Sequence, residues 1–194
     1  MTIPKAVCVY CGSSSNTRAS HQAAARAFGT LLAERNITLV FGGGRVGLMG
    51  IVADAALAAG GRVTGVIPRF LMAREVGHSG CSELHVTETM HDRKRKMAEL
   101  SDGFAILPGG LGTLDEAFEI ITWKQLGLHD KPVVFANIDG YWNSLEALFD
   151  NLVDEHYVPR KHRSLIRMVR SVDDLLPALS TSPEGRVELD SKWI

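Results

Sequence analysis

Residues 102–116, DGFAILPGGLGTLDE, constrain the fold more than any other stretch. Phe104, Ala105, Ile106 and Leu107 form the short apolar run expected of a buried strand. Pro108, Gly109, Gly110 and Gly112 then turn the chain sharply, and a helix is expected from Thr113 onward to about Leu126. A strand, a glycine turn and a helix start in succession gather unpaired N–H groups at the positive end of a helix. That arrangement suits a phosphate. Bare glycine backbone lets an anion approach closely. Glu116 brings a carboxylate to the same place, and a nucleoside monophosphate with its sugar facing Glu116 fits the pattern. The spacing also allows a purely structural role. Thr113-Leu114-Asp115-Glu116 is a capping box in which Glu116 reaches back to the Thr113 N–H, and pattern alone favours that cap.

Two further glycine- or serine-rich turns follow expected strands. Ala6–Tyr10 reads as a buried first strand and Cys11-Gly12-Ser13-Ser14-Ser15-Asn16 as the turn after it, where hydroxyls hold a phosphate or cap a helix over Ala19–Arg35. The inward face of that helix is expected to carry Ala23, Ala27, Phe28, Leu31 and Leu32. Ile37–Phe41 is a second strand, followed by Gly42-Gly43-Gly44-Arg45-Val46-Gly47 and a helix over Ile51–Ala59. Gly42, Gly44 and Gly47 satisfy GxGxxG, but the motif follows the second strand. The next strand, Arg62–Ile67, ends in Pro68-Arg69 and supplies no acid for a ribose. A mononucleotide site using Gly43 and Gly44, or a tight turn packed against a helix, explains the glycines without the missing acid.

Phe70–Ser82 reads as irregular and carries Arg74, Glu75 and His78. Leu84–Thr87 is a short strand, and Thr89 caps a helix over Met90–Leu100. Its Arg93, Lys94, Arg95 and Lys96 read from pattern as a solvated face paired with Asp92 and Glu99. On the helix after Thr113, Leu114, Ala117, Phe118 and Ile121 make the inward stripe. Ile120 and Trp123 form a second apolar face that implies a homodimer contact. Lys131–Ile138 is the last expected strand. Helices are expected over Tyr141–His156, Ser164–Val169 and Val172–Leu179, with a loose tail at 181–194. Alternating strands and helices imply an α/β fold with a doubly wound parallel sheet, and its ligands bind beyond the carboxyl ends of the strands.

Composition narrows the class of partner. A net charge of −1 over 194 residues argues against nucleic acid or an anionic membrane surface. An odd three cysteines point to a reducing, cytoplasmic compartment. Cys8-x-x-Cys11 is a redox or metal motif on paper, but Cys8 falls inside a strand and no second pair completes a zinc site. No signal peptide or membrane span is read. Walker A and HExxH motifs are absent, and Cys81 spoils the elbow-like Gly77-His78-Ser79-Gly80.

Taken together, the motifs resemble those of the LONELY GUY (LOG) family of cytokinin-activating phosphoribohydrolases. The residues that carry the likeness are Pro108-Gly109-Gly110-Leu111-Gly112-Thr113-Leu114-Asp115-Glu116, which fits PGGxGTxxE, and Met90-His91-Asp92-Arg93-Lys94 upstream of it. Cys11-Gly12-Ser13-Ser14, Gly47-Leu48-Met49-Gly50, Gly65-Val66-Ile67-Pro68, Ile121–Gly127 and Asp139-Gly140-Tyr141-Trp142 also fit. The likeness covers nearly all of residues 5–178. It implies one Rossmann-like domain over 1–180, a homodimer and no metal or redox cofactor. The implied reaction is hydrolysis of the N-glycosidic bond of N6-substituted adenosine 5′-monophosphates and AMP. The family's catalytic pair maps to Arg93 and Glu116. Its substrate contacts map to Glu75, Lys94, Thr122 and the phosphate loop Gly109, Gly110, Gly112 and Thr113. Ser13, Ser14, Gly43, Gly44 and Met90 complete the candidate substrate-binding set. A nearby cation at Arg93 is expected to lower the Glu116 pKa. Two rivals follow from the same fold or label: a nucleotide carrier without chemistry, and a decarboxylase dependent on pyridoxal phosphate.

Overall fold

The computed structural model describes residues 3–75 and 77–180, the side chains of residues 73–75 excepted. Seven strands form one sheet: β1 (Ala6–Tyr10), β2 (Thr38–Phe41), β3 (Val63–Pro68), β4 (Glu83–Thr87), β5 (Gly103–Ile106), β6 (Val133–Ala136) and β7 (Arg167–Val169). Their order is β4-β3-β2-β1-β5-β6-β7, and every neighbouring pair is parallel. The chain lays strands outward from β1 to β4, then crosses to β5 on the other side of β1. This reversal is the switch point where doubly wound sheets open a crevice at the carboxyl ends of the strands. The expected fold class is the one observed.

Helices cover both faces. They are α1 (Ala19–Glu34), α2 (Gly47–Ala58), α3 (Arg69–Glu75), α4 (Met90–Glu99), α5 (Leu111–Gln125), α6 (Asn143–Asp154) and α7 (Leu175–Ser180). Strand alternation sends Val7, Val9 and Cys11 into the core beneath α1 and α2, and Cys8 and Tyr10 into the core beneath α4 and α5. Cys8 and Cys11 therefore sit on opposite faces of the sheet, because an odd spacing of three residues reverses the pleat. Burial pushes both thiols well above the ordinary range. Such thiols are inert rather than redox-active.

Several sequence expectations are corrected. The stretch expected to be irregular after β3 begins with α3, two turns that are too short to declare a helical period. Ser164–Val169, expected as a helix, is the end of a 3-10 turn (Arg160–Leu165) followed by β7. The open edge of β6 offers its backbone groups to residues 167–169, and that pairing overrides local propensity. On α1, Ala23 and Ala27 are exposed, while Ala24, Ala25 and Gly29 face inward. A Cβ on Gly29 would lie 2.3 Å from the Val52 carbonyl oxygen, so the α1–α2 contact selects that face. Alanines on every side of a helix cannot reveal its phase. The expected tail at 181–194 lies outside the described residues. Among the described residues, no helix is long and apolar enough to cross a membrane.

Candidate functional site

The crevice at the switch point is a cavity of about 550 Å³, within the range of small-molecule sites. Its walls come from the β1–α1 turn, the first turn of α1, the start of α2, α4, and the turn and first helical residues after β5. Main-chain bonds tie these pieces together. Gly12 N–H donates to the Pro108 carbonyl at 3.0 Å, and Leu48 N–H donates to the Gly12 carbonyl at 2.9 Å. Gly47, with φ +66°, must be glycine: a Cβ there would lie 2.5 Å from the Ser13 carbonyl carbon.

α5 begins two residues earlier than the sequence suggests. Gly110 is its N-cap and no side chain caps the end, so Gly112 stands inside the first turn. The expected capping box is not formed. Glu116 instead turns inward, only 7% exposed, and accepts a 2.7 Å bond from Arg93 Nη1. Leu114, Ala117, Phe118 and Ile121 do not define the buried face alone: Thr113, Glu116, Ile120 and Lys124 share it. Ile120 is buried in this chain's own core, and Trp123 packs against that core while staying half-buried. Cβ atoms on Gly110 and Gly112 would meet nothing within 4 Å. Both glycines line the cavity, and their bare edges leave its wall open to backbone contact.

Arg93 is held from three sides. Besides Glu116, its Nε donates to the Val66 carbonyl at 3.0 Å and its Nη2 to the Gly42 carbonyl at 3.2 Å. The basic run is therefore not one solvated face. Arg93 and Lys94 are buried, and only Arg95 keeps an exposed pairing with Asp92. Burial raises the Glu116 carboxyl above its ordinary value, and the Arg93 cation opposes that rise without cancelling it. The expected lowering is thus overturned: loss of solvation outweighs the ion pair.

Gly42 makes this arrangement testable. A Cβ there would lie 2.0 Å from Arg93 Nη2, the far end of a flexible side chain. Gly42→Ala is expected to fold but to displace the guanidinium, and to cut about tenfold or more any activity that depends on the Arg93–Glu116 pair. Thermal melting beside a turnover assay checks it. A melting temperature collapsed along with activity would point to a scaffold role instead.

Of the sequence-derived candidates, Ser13, Ser14, Met90, Arg93, Gly109, Gly110, Gly112, Thr113 and Glu116 line the one cavity. Gly43 and Gly44 do not. They are buried, the Gly43 carbonyl accepts the His78 N–H at 2.9 Å, and Gly44 bridges Gly77. Lys94 lies behind the wall, with Nζ bonded to Asp115 at 3.1 Å and paired with Glu119 at 3.2 Å. Thr122 is exposed, away from the cavity. Glu75 closes α3, and its side chain lies outside what the structure describes. Sequence reasoning did not single out His21 or Leu71 as wall residues, and it placed Tyr141 only inside a motif. The Tyr141 hydroxyl donates to the Gly109 carbonyl at 2.7 Å. A histidine within an alanine-rich helix carries no signal of its own.

Residues 49–179 match the family described as possible lysine decarboxylase. The cytokinin riboside 5′-monophosphate phosphoribohydrolase LOG1 of Arabidopsis thaliana is 46% identical over 175 residues, covering 90% of this chain and 82% of that protein. LOG7 of the same plant is 45% identical over 190 residues, with 98% and 88% covered. Among solved structures, the molybdenum cofactor carrier protein of Chlamydomonas reinhardtii superposes with a TM-score of 0.67 at 22% identity, covering 89% of this chain and 94% of that one. The molybdenum cofactor binding protein of Rippkaea orientalis gives 0.68 at 21%, covering 89% and 93%. At those identities the likeness is one of fold.

Decarboxylation of lysine calls for pyridoxal phosphate on a Schiff-base lysine. The residues do not fit that group, since no lysine among the described residues lines the cavity. The Lys94 ammonium is committed to Asp115 and Glu119, and Lys124 donates to the Leu165 carbonyl at 3.1 Å.

Proposed function

This chain belongs to the LOG family of cytokinin riboside 5′-monophosphate phosphoribohydrolases, and from that premise we propose that it hydrolyses the N-glycosidic bond of adenosine 5′-monophosphates, N6-substituted ones and AMP. The products are the free base and ribose 5-phosphate. One observation carries the reading: a buried carboxylate, Glu116, held by Arg93 in the same cavity as the uncapped start of α5.

The chemistry follows from that pairing. As the C1′–N9 bond breaks, its electrons leave on the purine nitrogen and positive charge builds on C1′ and the ring oxygen. Glu116 faces that charge and takes a proton from water as the water oxygen bonds to C1′. The purine nitrogen gains a proton by way of solvent and leaves as the neutral base, and Glu116 gives its own back to solvent. Arg93 fixes the carboxylate, and its bonds to the Val66 and Gly42 carbonyls keep the guanidinium from swinging away. The phosphate rests on the N–H groups of the Gly109–Thr113 turn, at the positive end of α5. Its binding energy, remote from the reacting bond, holds the ribose against Glu116. Ser13, Ser14 and Met90 complete the walls around it. Lys94, Thr122, Gly43, Gly44 and Glu75 remain outer candidates. Of these, Lys94 acts by bracing α4 against Asp115 and Glu119 of α5.

Incubation of the purified protein with AMP and isopentenyl-AMP tests the reading, with base release followed by chromatography. Free adenine and ribose 5-phosphate in equal amounts are expected. Tight AMP binding without any base released would leave the carrier reading in its place.

The chain acts as a homodimer in a reducing, cytoplasmic compartment. Leu111 is 85% exposed at the cavity mouth, and α3 presents Phe70 (51%) and Met72 (42%) beside Leu71 of the cavity wall. An apolar rim of that kind supports a partner surface. Light scattering after gel filtration is expected to give twice the chain mass, and Leu111→Asp is expected to shift it toward the monomer. A monomeric wild type would remove the dimer.

A further inference from the structure

Tyr141 stands in the cavity wall without a part in the chemistry above. Its hydroxyl donates to the Gly109 carbonyl at 2.7 Å, from 32 residues along the chain. That carbonyl belongs to the Gly109–Gly110 peptide, where the turn passes into α5. Leu114 N–H is the first of α5 to find a carbonyl, that of Gly110 at 3.0 Å. The N–H groups ahead of it, from Gly110 to Thr113, make no hydrogen bond among the described residues. Every residue from Pro108 to Thr113 lines the cavity.

The Gly109–Gly110 peptide has two sides to offer. It is trans and planar, so its carbonyl and its N–H point opposite ways. In one orientation an anion meets the N–H; in the other it meets the negative end of the carbonyl. Side chains hinder such a rotation, and two successive glycines lack them. Among the described residues, the bond from Tyr141 is the one hydrogen bond that holds this carbonyl. Tyr141 is itself anchored outside the cavity. Asn137, buried just after β6, accepts the Trp142 N–H through Oδ1 at 2.7 Å and donates through Nδ2 to Asn143 at 2.8 Å. Its own N–H donates to the Val169 carbonyl of β7 at 2.7 Å. The Tyr141 ring packs edge-on with Trp142, centroids 4.7 Å apart, and with His21, 5.2 Å apart. The ends of β6 and β7 thus set where the hydroxyl stands.

We propose that Tyr141 is a positioning residue for the glycine turn: its hydroxyl holds the Gly109 carbonyl aside so that the Gly110 N–H joins those of residues 111–113 in receiving a phosphomonoester. Tyr141 does not touch the phosphate; it acts through the peptide. The assignment rests on the nucleotide reading of the same cavity, but it can be tested apart from turnover. Its contribution is preorganisation: without the hydroxyl, binding must first turn the peptide into place, and affinity drops by the fraction of molecules already competent.

The experiment uses the whole chain with its glycines labelled with ¹⁵N. Inorganic phosphate, ribose 5-phosphate and adenosine are titrated into wild type and Tyr141→Phe, which keeps the ring packing and loses only the hydroxyl. In wild type the Gly110 amide signal is expected to move on saturation with phosphate or ribose 5-phosphate. In free Tyr141→Phe that signal is expected to stand away from its wild-type position already. Both phosphate probes should bind about twofold to tenfold more weakly there, with adenosine unchanged. KM for AMP should rise by a similar factor while kcat moves less, a split that general loosening of the fold would not give. Unchanged phosphate binding in Tyr141→Phe overturns the assignment. Weakened phosphate binding with the free Gly110 signal unmoved would make Tyr141 a direct ligand and overturn it equally. If Tyr141→Phe does not fold, the wild-type titration decides: a Gly110 amide indifferent to saturating phosphate overturns the assignment. A wild type that passes the titration but releases no base from AMP would defeat the hydrolase reading and leave this one standing.

Discussion

Glu116→Gln is expected to lower base release from AMP by about 100-fold or more while leaving the fold intact. Glutamine matches the carboxylate in shape but can neither carry the negative charge that faces the ribosyl cation nor accept a proton from water. The amide oxygen can still accept from Arg93 Nη1, which in the native protein donates to Oε1 at 2.7 Å. The pocket wall should therefore survive, and AMP should still bind through the α5 turn. The loss should fall on kcat, because the missing interaction belongs to the transition state. Single-turnover base release beside equilibrium AMP binding measures the two separately. Wild-type turnover in Glu116→Gln would remove the residue from the chemistry.

Arg93→Ala is expected to be as damaging to turnover, with a second signature in its pH dependence. Removing one member of a buried ion pair leaves an uncompensated charge, at about 3–5 kcal/mol, unless the remaining group takes up a proton. Glu116 is already raised by burial, with Arg93 as the main opposing influence. Without that cation its pKa rises further. If the base must be ionised, the acid limb of kcat/KM moves to higher pH, and part of the lost activity returns as pH rises. Stability moves the other way. A carboxyl whose folded pKa lies above its unfolded value contributes stability fully only below the unfolded value. That contribution is lost as pH rises through the folded one. In Arg93→Ala, melting temperature should therefore fall over the pH range in which activity is regained. An acid limb identical to that of wild type would show that Glu116 is not the group that must ionise. Inorganic binding assays at each pH separate this limb from titration of the substrate phosphate, whose second pKa is near 6.

The contrast between reading and structure is sharpest on α4 and α5. MHDRKRKMAEL has the pattern of a solvated basic face, yet Arg93 and Lys94 are buried. Nothing local could show this. Arg93 finds acceptors 27 and 51 residues away, at Val66 and Gly42, and its acid 23 residues on. Local spacing made Glu116 a cap, because a capping box needs only four consecutive positions. The glycine at 110 took over the N-cap and freed the carboxylate to turn inward. His21 was invisible for the opposite reason: an alanine-rich helix carries no phase until Gly29 is pressed against Val52.

By itself the sequence determined the architecture: apolar strand runs, helices between them and glycine turns at strand ends admit a parallel, doubly wound sheet and little else. It also determined the motif that marks the turn after β5, where Gly109 leaves no room for a Cβ against the Thr113 side chain while Gly110 and Gly112 stand open. Only the tertiary structure decided which charges meet. Burial and ion pairing depend on groups brought together from distant strands and helices at the switch point, and a one-dimensional pattern reports periodicity, not the dielectric that a side chain ends up in.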